Sequence, residues 1–159
     1  MASAWRWGTR QVEITSVRLV DEAGHEQQAF QTGGCFALEI DYEAHEPVRS
    51  PIFGFAVHRH DGVHLTGPNT AQAGFGLPVI QGRGTLRYRT TRLALLEGLY
   101  EVSVAVVNEN DTITYDFHNR LYTFRIANQE RAGQTPGSGG EWRAEKNGLV
   151  SFLGSWEQA

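Results

Sequence analysis

The chain has 159 residues and a formal charge of −4 from 14 basic and 18 acidic residues, with one lysine, Lys146. That length suits one domain with a sizeable core, and the scattered, acid-balanced arginines are poorly arranged to neutralise phosphates, so nucleic acid is not an expected partner. The one cysteine, Cys35, excludes an internal disulfide and fits a reducing compartment.

Flanked by Gly34 and Phe36, Cys35 reads as a small buried hydrophobe rather than a nucleophile. No window approaches the roughly 18 apolar residues of a membrane span. The N-terminus MASAWRWG lacks the basic-then-apolar order of a secretory signal. A cytoplasmic chain without membrane insertion is expected.

Along the chain, apolar and polar residues alternate with the period of a half-buried strand. Val12 and Ile14 share one parity while Val17 and Leu19 take the other, which predicts a bulge near Thr15-Ser16. Phe36, Leu38, Ile40 and Tyr42 alternate with Ala37, Glu39 and Asp41. Ile52 to Arg59 forms a third strand, and Leu86 with Tyr88 marks another. Tyr100, Val102, Val104 and Val106 alternate again, as do Tyr122, Phe124 and Ile126. Turn signals separate them at Glu22-Ala23-Gly24, Thr32-Gly33-Gly34, Asp61-Gly62, Glu97-Gly98 and Asn108-Glu109-Asn110-Asp111. No persuasive amphipathic helix occurs, and Thr91 to Leu96 offers at most a turn or two. The pattern predicts an all-β, antiparallel β-sandwich of immunoglobulin-like or jelly-roll type over residues 1–128.

Residues 129–141, rich in Gly, Gln, Ser and Thr, read as a flexible linker. Residues 142–159 then hold a C-terminal strand, with strand character from Gly148 to Leu153 and Trp156 beyond. A strand on such a tether can return to its own sheet or exchange into a second copy, which would make a dimer.

Two strands carry small residues on the face opposite the core. With Phe53, Phe55 and Val57 inward, Gly54, Ala56 and His58 face outward; with Val102, Val104 and Val106 inward, Ser103 and Ala105 face outward beside Glu101. Small side chains leave a shallow trough that suits an extended ligand, or a face covered by a partner sheet or the C-terminal segment.

Two polar clusters border these strands: His58, Arg59, His60, Asp61, His64 and Asn69, and the run from Tyr115 through Asp116, Phe117, His118 and Asn119 to Arg120. His58 and His60 are two apart and, with His64, outline a metal site distantly like the His-x-His motif of cupins, although the glutamate and later histidine of that motif have no counterpart. No Gly-x-Ser-x-Gly elbow and no phosphate-binding loop are present, and no pair of carboxylates stands out for glycoside hydrolysis. Planar polar side chains beside aromatic ones do match sugar recognition, by paired hydrogen bonds to hydroxyls and packing of a pyranose face. Each cluster also reads as a satisfied loop, the second as a hairpin with Asp116 and Asn119 making turn bonds.

At these residues the sequence resembles the C-terminal domain of Wzt-type proteins, the ATP-binding subunits of O-antigen polysaccharide ABC transporters. The resemblance runs from Arg6 to Ile126. It rests on Arg6-Trp7-Gly8-Thr9, on Gly54 to Val63 (GFAVHRHDGV), on Thr66-Gly67-Pro68-Asn69-Thr70, on Leu95 to Tyr100 (LLEGLY) and on Tyr115 to Arg120. It implies a β-sandwich that binds the polysaccharide, commonly at its non-reducing end, without catalysis, metal or cofactor. It further implies a homodimer joined to an ATPase domain and a transmembrane subunit at the cytoplasmic face of the inner membrane. The ATPase half has no counterpart in this sequence. On this reading the carbohydrate-binding residues are His58, Arg59, His60, Asp61, His64, Asn69, Ser103, Tyr115, Asp116, His118 and Asn119. The rival reading is a metal-dependent, cupin-like enzyme using His58, His60 and His64.

Overall fold

The computed structural model describes residues 4–127, 149–150 and 152–159, and every regular element among them is a strand. In chain order these are β1 (Arg6–Trp7), β2 (Val12–Val20), β3 (Ala29–Gln31), β4 (Phe36–Arg49), β5 (Ile52–Arg59), β6 (His64–Thr66), β7 (Val79–Thr90), β8 (Gly98–Val107), β9 (Thr114–Ala127) and β10 (Gly154–Gln158). One sheet runs β1-β9-β8-β5-β6 and the other β10-β7-β4-β2. The pairings are antiparallel except that β3 runs parallel to β9 at the edge of the first sheet. The all-β antiparallel sandwich is the architecture that the alternation predicts. No helix among the described residues is long and apolar enough to cross a membrane.

Alternation builds the core. Val12 and Ile14 of β2, Leu38 and Ile40 of β4, Phe53 and Val57 of β5, and Val102 and Val104 of β8 are each at most 1% exposed. Phe36 and Phe124 meet across the sandwich with ring centroids 5.4 Å apart. Burying such side chains stabilises by about 1.5–3 kcal/mol each, so the register of each strand is strongly fixed. The parity change in β2 is a bulge, with pairing to β4 shifting between Ile14 and Ser16.

The outer face of the β10-β7-β4-β2 sheet is a ladder of paired charges. Arg18 donates to Asp41 at 3.0 Å, Arg87 to Glu39 at 2.7 Å and to Glu157 at 3.0 Å, and Thr85 to Asp41 at 2.6 Å. These charges answer one another across the strands.

Three details differ from the sequence reading. The run from Tyr115 to Arg120 is the first half of β9 rather than a hairpin loop. The C-terminal strand is β10, beyond the apolar run: Leu149 and Val150 are exposed, Phe152 is buried, and Trp156 turns inward while Glu157 joins the charged ladder. This strand pairs with β7 of its own chain, Trp156 opposite Tyr88. Cys35 is half-buried rather than a core residue. The predicted linker at 129–141 and the start of the predicted C-terminal segment lie outside the described residues.

Candidate functional site

Register across the first sheet assembles the site. Trp7 pairs with Phe117, Phe117 with Ala105, Ala105 with Gly54, and Gly54 with Asn69. Directly paired residues share a face, so four strands and the loop after β6 contribute to one row on the outside of the sheet. The next row places Ala56 opposite Ser103, and the next His64, His58 and Glu101. The small residues at the centre sink below their neighbours and leave a trough of about 280 Å³.

One wall is aromatic. Phe117 and Trp7 stack with centroids 4.4 Å apart and planes 15° from parallel, with Trp7 39% exposed. The other wall is polar, made by His58, His64 and Asn69, and Asn119 stands on the aromatic side. Among the described residues, no lysine, arginine, aspartate or glutamate lines the trough. The flanking pair, Arg120 to Glu101 at 2.7 Å, neutralises itself.

A bulge in β9 shapes this end. The pairing of β8 with β9 slips between Val102 and Val104, and Arg120 adopts a left-handed φ of 56°. The Arg120 N–H, displaced from the ladder, donates to Ser103 Oγ at 2.9 Å. The Ser103 hydroxyl lies 3.3 Å from His58 Nε2. Burial first, then His64 and Arg120, hold the His58 pKa below its ordinary value, against Glu101 and a bond to the Gly62 backbone. His58 is therefore neutral at pH 7, one ring nitrogen bonded to the Gly62 backbone and Nε2 beside the Ser103 hydroxyl. With both nitrogens engaged, His58 presents its ring surface rather than a hydrogen bond. Ser103→Ala is expected to lower the unfolding midpoint and to move the His58 nitrogen resonances, because it strands the buried N–H and the imidazole together.

Hydrogen-bonding capacity in the trough comes instead from the amides. Asn69 Oδ1 accepts the Gln72 N–H at 2.8 Å, which fixes the orientation of the amide and leaves its two Nδ2 hydrogens for a ligand. Gly54 permits this approach: a Cβ there would stand 3.0 Å from Asn69 Cβ and 3.3 Å from Pro68 O. Gly67 has the same part beside His64, whose Nε2 would be 3.3 Å from an added Cβ.

Of the eleven residues expected from sequence, the trough gathers His58, His64, Asn69, Ser103 and Asn119. Arg59, His60 and Asp61 sit at the exposed tip of the β5–β6 hairpin. There Arg59 Nη2 donates to Asp61 Oδ2 at 2.6 Å, and this bond, aided by the Val63 N–H, pulls the Asp61 carboxyl down to about 2. That pair closes the turn, with Gly62 N donating to Arg59 O at 2.8 Å.

Asp116 and His118 do not border the trough at all. They are 0% and 4% exposed, because alternation along β9 turns them inward while Phe117 and Asn119 turn outward. Tyr115 packs half-buried against the core. The sequence reading passed over Phe117 and Trp7 as site residues. The outward parity of Phe117 follows only once Asp116 and His118 are known to turn inward.

Among the described residues, no group of three His, Cys, Asp or Glu side chains could hold a metal ion. The His58-His60-His64 trio is not assembled, since β5 ends at Arg59 and His60 sits at the exposed hairpin tip, leaving only His58 and His64 near each other with ring centroids 5.4 Å apart.

A family model, the Wzt C-terminal domain, matches residues 3–139. Among solved structures, the chain is similar to one described as the crystal structure of the C-terminal domain of wzt, with a TM-score of 0.72 at 13% identity, over 88% of this chain and 87% of that one. No curated protein matches.

Proposed function

The chain belongs to the Wzt C-terminal domain family, and from that premise we propose that it is a non-catalytic carbohydrate-binding domain that recognises O-antigen polysaccharide for export. The trough carries this reading. A floor of Gly54, Ala56, Ser103 and Ala105 admits a sugar ring, the Phe117–Trp7 stack offers it an apolar face, and the Asn69 and Asn119 amides meet its hydroxyls. Within the family reading, the ligand enters by its non-reducing end. The domain acts beside an ATPase domain and a transmembrane subunit at the cytoplasmic face of the inner membrane, as one half of a homodimer in which β10 is the element available for exchange.

Shallow sites bury little area and polar desolvation offsets much of the gain, so affinity is expected in roughly the micromolar to millimolar range. An NMR titration of the metal-free domain with O-polysaccharide from the source strain tests the proposal. Saturable shifts are expected at Gly54, Ala56, Ala105, Asn119 and the Trp7 indole, with the hairpin tip at Arg59 to Asp61 unmoved. A spectrum unchanged at saturating polysaccharide would refute it.

A further inference from the structure

The outward face of β5 does not end at the trough. Phe55 N donates to Pro68 O at 3.1 Å and Thr70 N to Phe53 O at 2.9 Å, so the segment at 68–70 runs antiparallel beside β5. Thr70 turns inward, 1% exposed, with its Oγ1 accepting the Phe53 N–H at 3.1 Å. Ala71, the next residue, is exposed and lines the surface beside Ile52. Ile52 pairs in turn with Val107 of β8.

Ile52 stands one row beyond Gly54, and beside it opens a second cavity of about 380 Å³ lined by Ile52, Ala71, Phe75, Leu77 and Glu109 among others. The loop that walls the trough at Gly67 to Asn69 continues as the wall of this cavity at Thr70 and Ala71.

Resting on the carbohydrate reading of the trough, we infer that this cavity is a second subsite, which takes a further sugar of the same chain, and that the bound stretch of glycan is neutral. The loop at 67–71 walls both cavities, so one extended chain can follow it from the trough into the second. Ile52 and Phe75 supply apolar surface for the hydrogen-bearing face of a pyranose, and the exposed Glu109 carboxylate accepts from its hydroxyls. Among the described residues, neither cavity is lined by lysine or arginine, and Glu109 repels a carboxylate or phosphate on the sugar.

The test is calorimetric and NMR titration with a size series of oligosaccharides, prepared by partial hydrolysis of O-polysaccharide from the source strain. Fragments long enough to span both cavities are expected to bind about tenfold more tightly than the shortest binding fragment and to shift Ile52, Ala71 and Glu109 in addition to Gly54 and Ala105. Ala71→Trp, on an exposed position, is expected to remove that gain while leaving short-fragment affinity and thermal midpoint unchanged. Equal affinity for short and long fragments, with shifts confined to the trough, would overturn the second subsite and leave the trough reading standing. If no fragment binds, both fall together. Affinity that drops steeply with added salt would overturn the neutral assignment, because it would reveal a charged ligand.

Discussion

Asp116→Ala is expected to destabilise the domain by about 1–3 kcal/mol, chiefly the cost of leaving the buried Ile14 N–H without its acceptor, while the partly exposed Arg6 turns to water. Arg6 donates to the Asp116 carboxylate from Nε at 3.2 Å and from Nη2 at 2.8 Å, and the Ile14 N–H adds a third bond at 2.8 Å. His118 Nε2 lies 3.3 Å away, poorly aligned but close, while its Nδ1 meets the Tyr122 hydroxyl at 2.7 Å. Burial pushes the carboxyl up, yet His118, Arg6 and the Ile14 N–H together outweigh it and hold Asp116 well below the usual carboxylate range. The same cluster joins β1 and β9 of one sheet to the bulge in β2 of the other, so its loss loosens both. Asp116→Asn keeps an acceptor for Ile14 and loses the charge, and a smaller cost is expected.

The pH dependence follows in sign from the depressed value. Above the ordinary carboxylate pKa, 3.8, Asp116 is ionised in both folded and unfolded chains and its stabilisation is fully present. As pH falls below that value the unfolded chain takes up the proton first, so stability declines toward the lower folded pKa. Asp41, whose pKa is lowered chiefly by its bonds from Arg18, acts in the same direction. Urea midpoints measured from pH 6 down to about pH 2 should fall for the native chain and fall less steeply for Asp116→Ala. An unchanged midpoint in the variant at neutral pH would show that the buried cluster contributes nothing.

The cluster also explains why the fold was easier to read than the site. The β2 bulge was legible because Val12, Ile14, Val17 and Leu19 report parity locally. The small floor was legible for the same reason, since Gly54, Ala56, Ser103 and Ala105 alternate with core residues on their own strands. Asp116 was not legible as an interior residue, because its partner Arg6 is 110 positions away and a polar run without that partner reads as a loop. Once Asp116 and His118 turn inward, Phe117 and Asn119 must turn outward, and Arg6 pairing with His118 sets Trp7 on Phe117. The aromatic wall is thus the outer consequence of the ion pair that buries Asp116. The C-terminal strand was misplaced for a related reason. Apolar content alone marks neither a strand nor burial, since Leu149 and Val150 are exposed and Phe152 is buried, whereas β10 is set by Trp156 facing the core and Glu157 facing Arg87.

Ala105→Leu is expected to abolish detectable glycan binding while leaving stability within about 0.5 kcal/mol, as for a surface substitution away from caps and cores. Ala105 stands in the middle of the row, between Gly54 and Phe117, and its side chain faces the trough rather than the sandwich interior. A leucine there occupies the space between the aromatic wall and the amide wall. A ring stacked on Phe117 could then no longer reach Asn69. Asp61→Ala, at the hairpin tip, is the matched control: it removes a polar residue from the cluster first singled out in the sequence, and affinity is expected to stay at the native value. The two variants separate the rival placements of the site by the same titration. Binding lost in Ala105→Leu and kept in Asp61→Ala places the ligand in the trough. The reverse, binding kept in Ala105→Leu and lost in Asp61→Ala, would move it to the tip of the hairpin, where Arg59 and His60 are exposed.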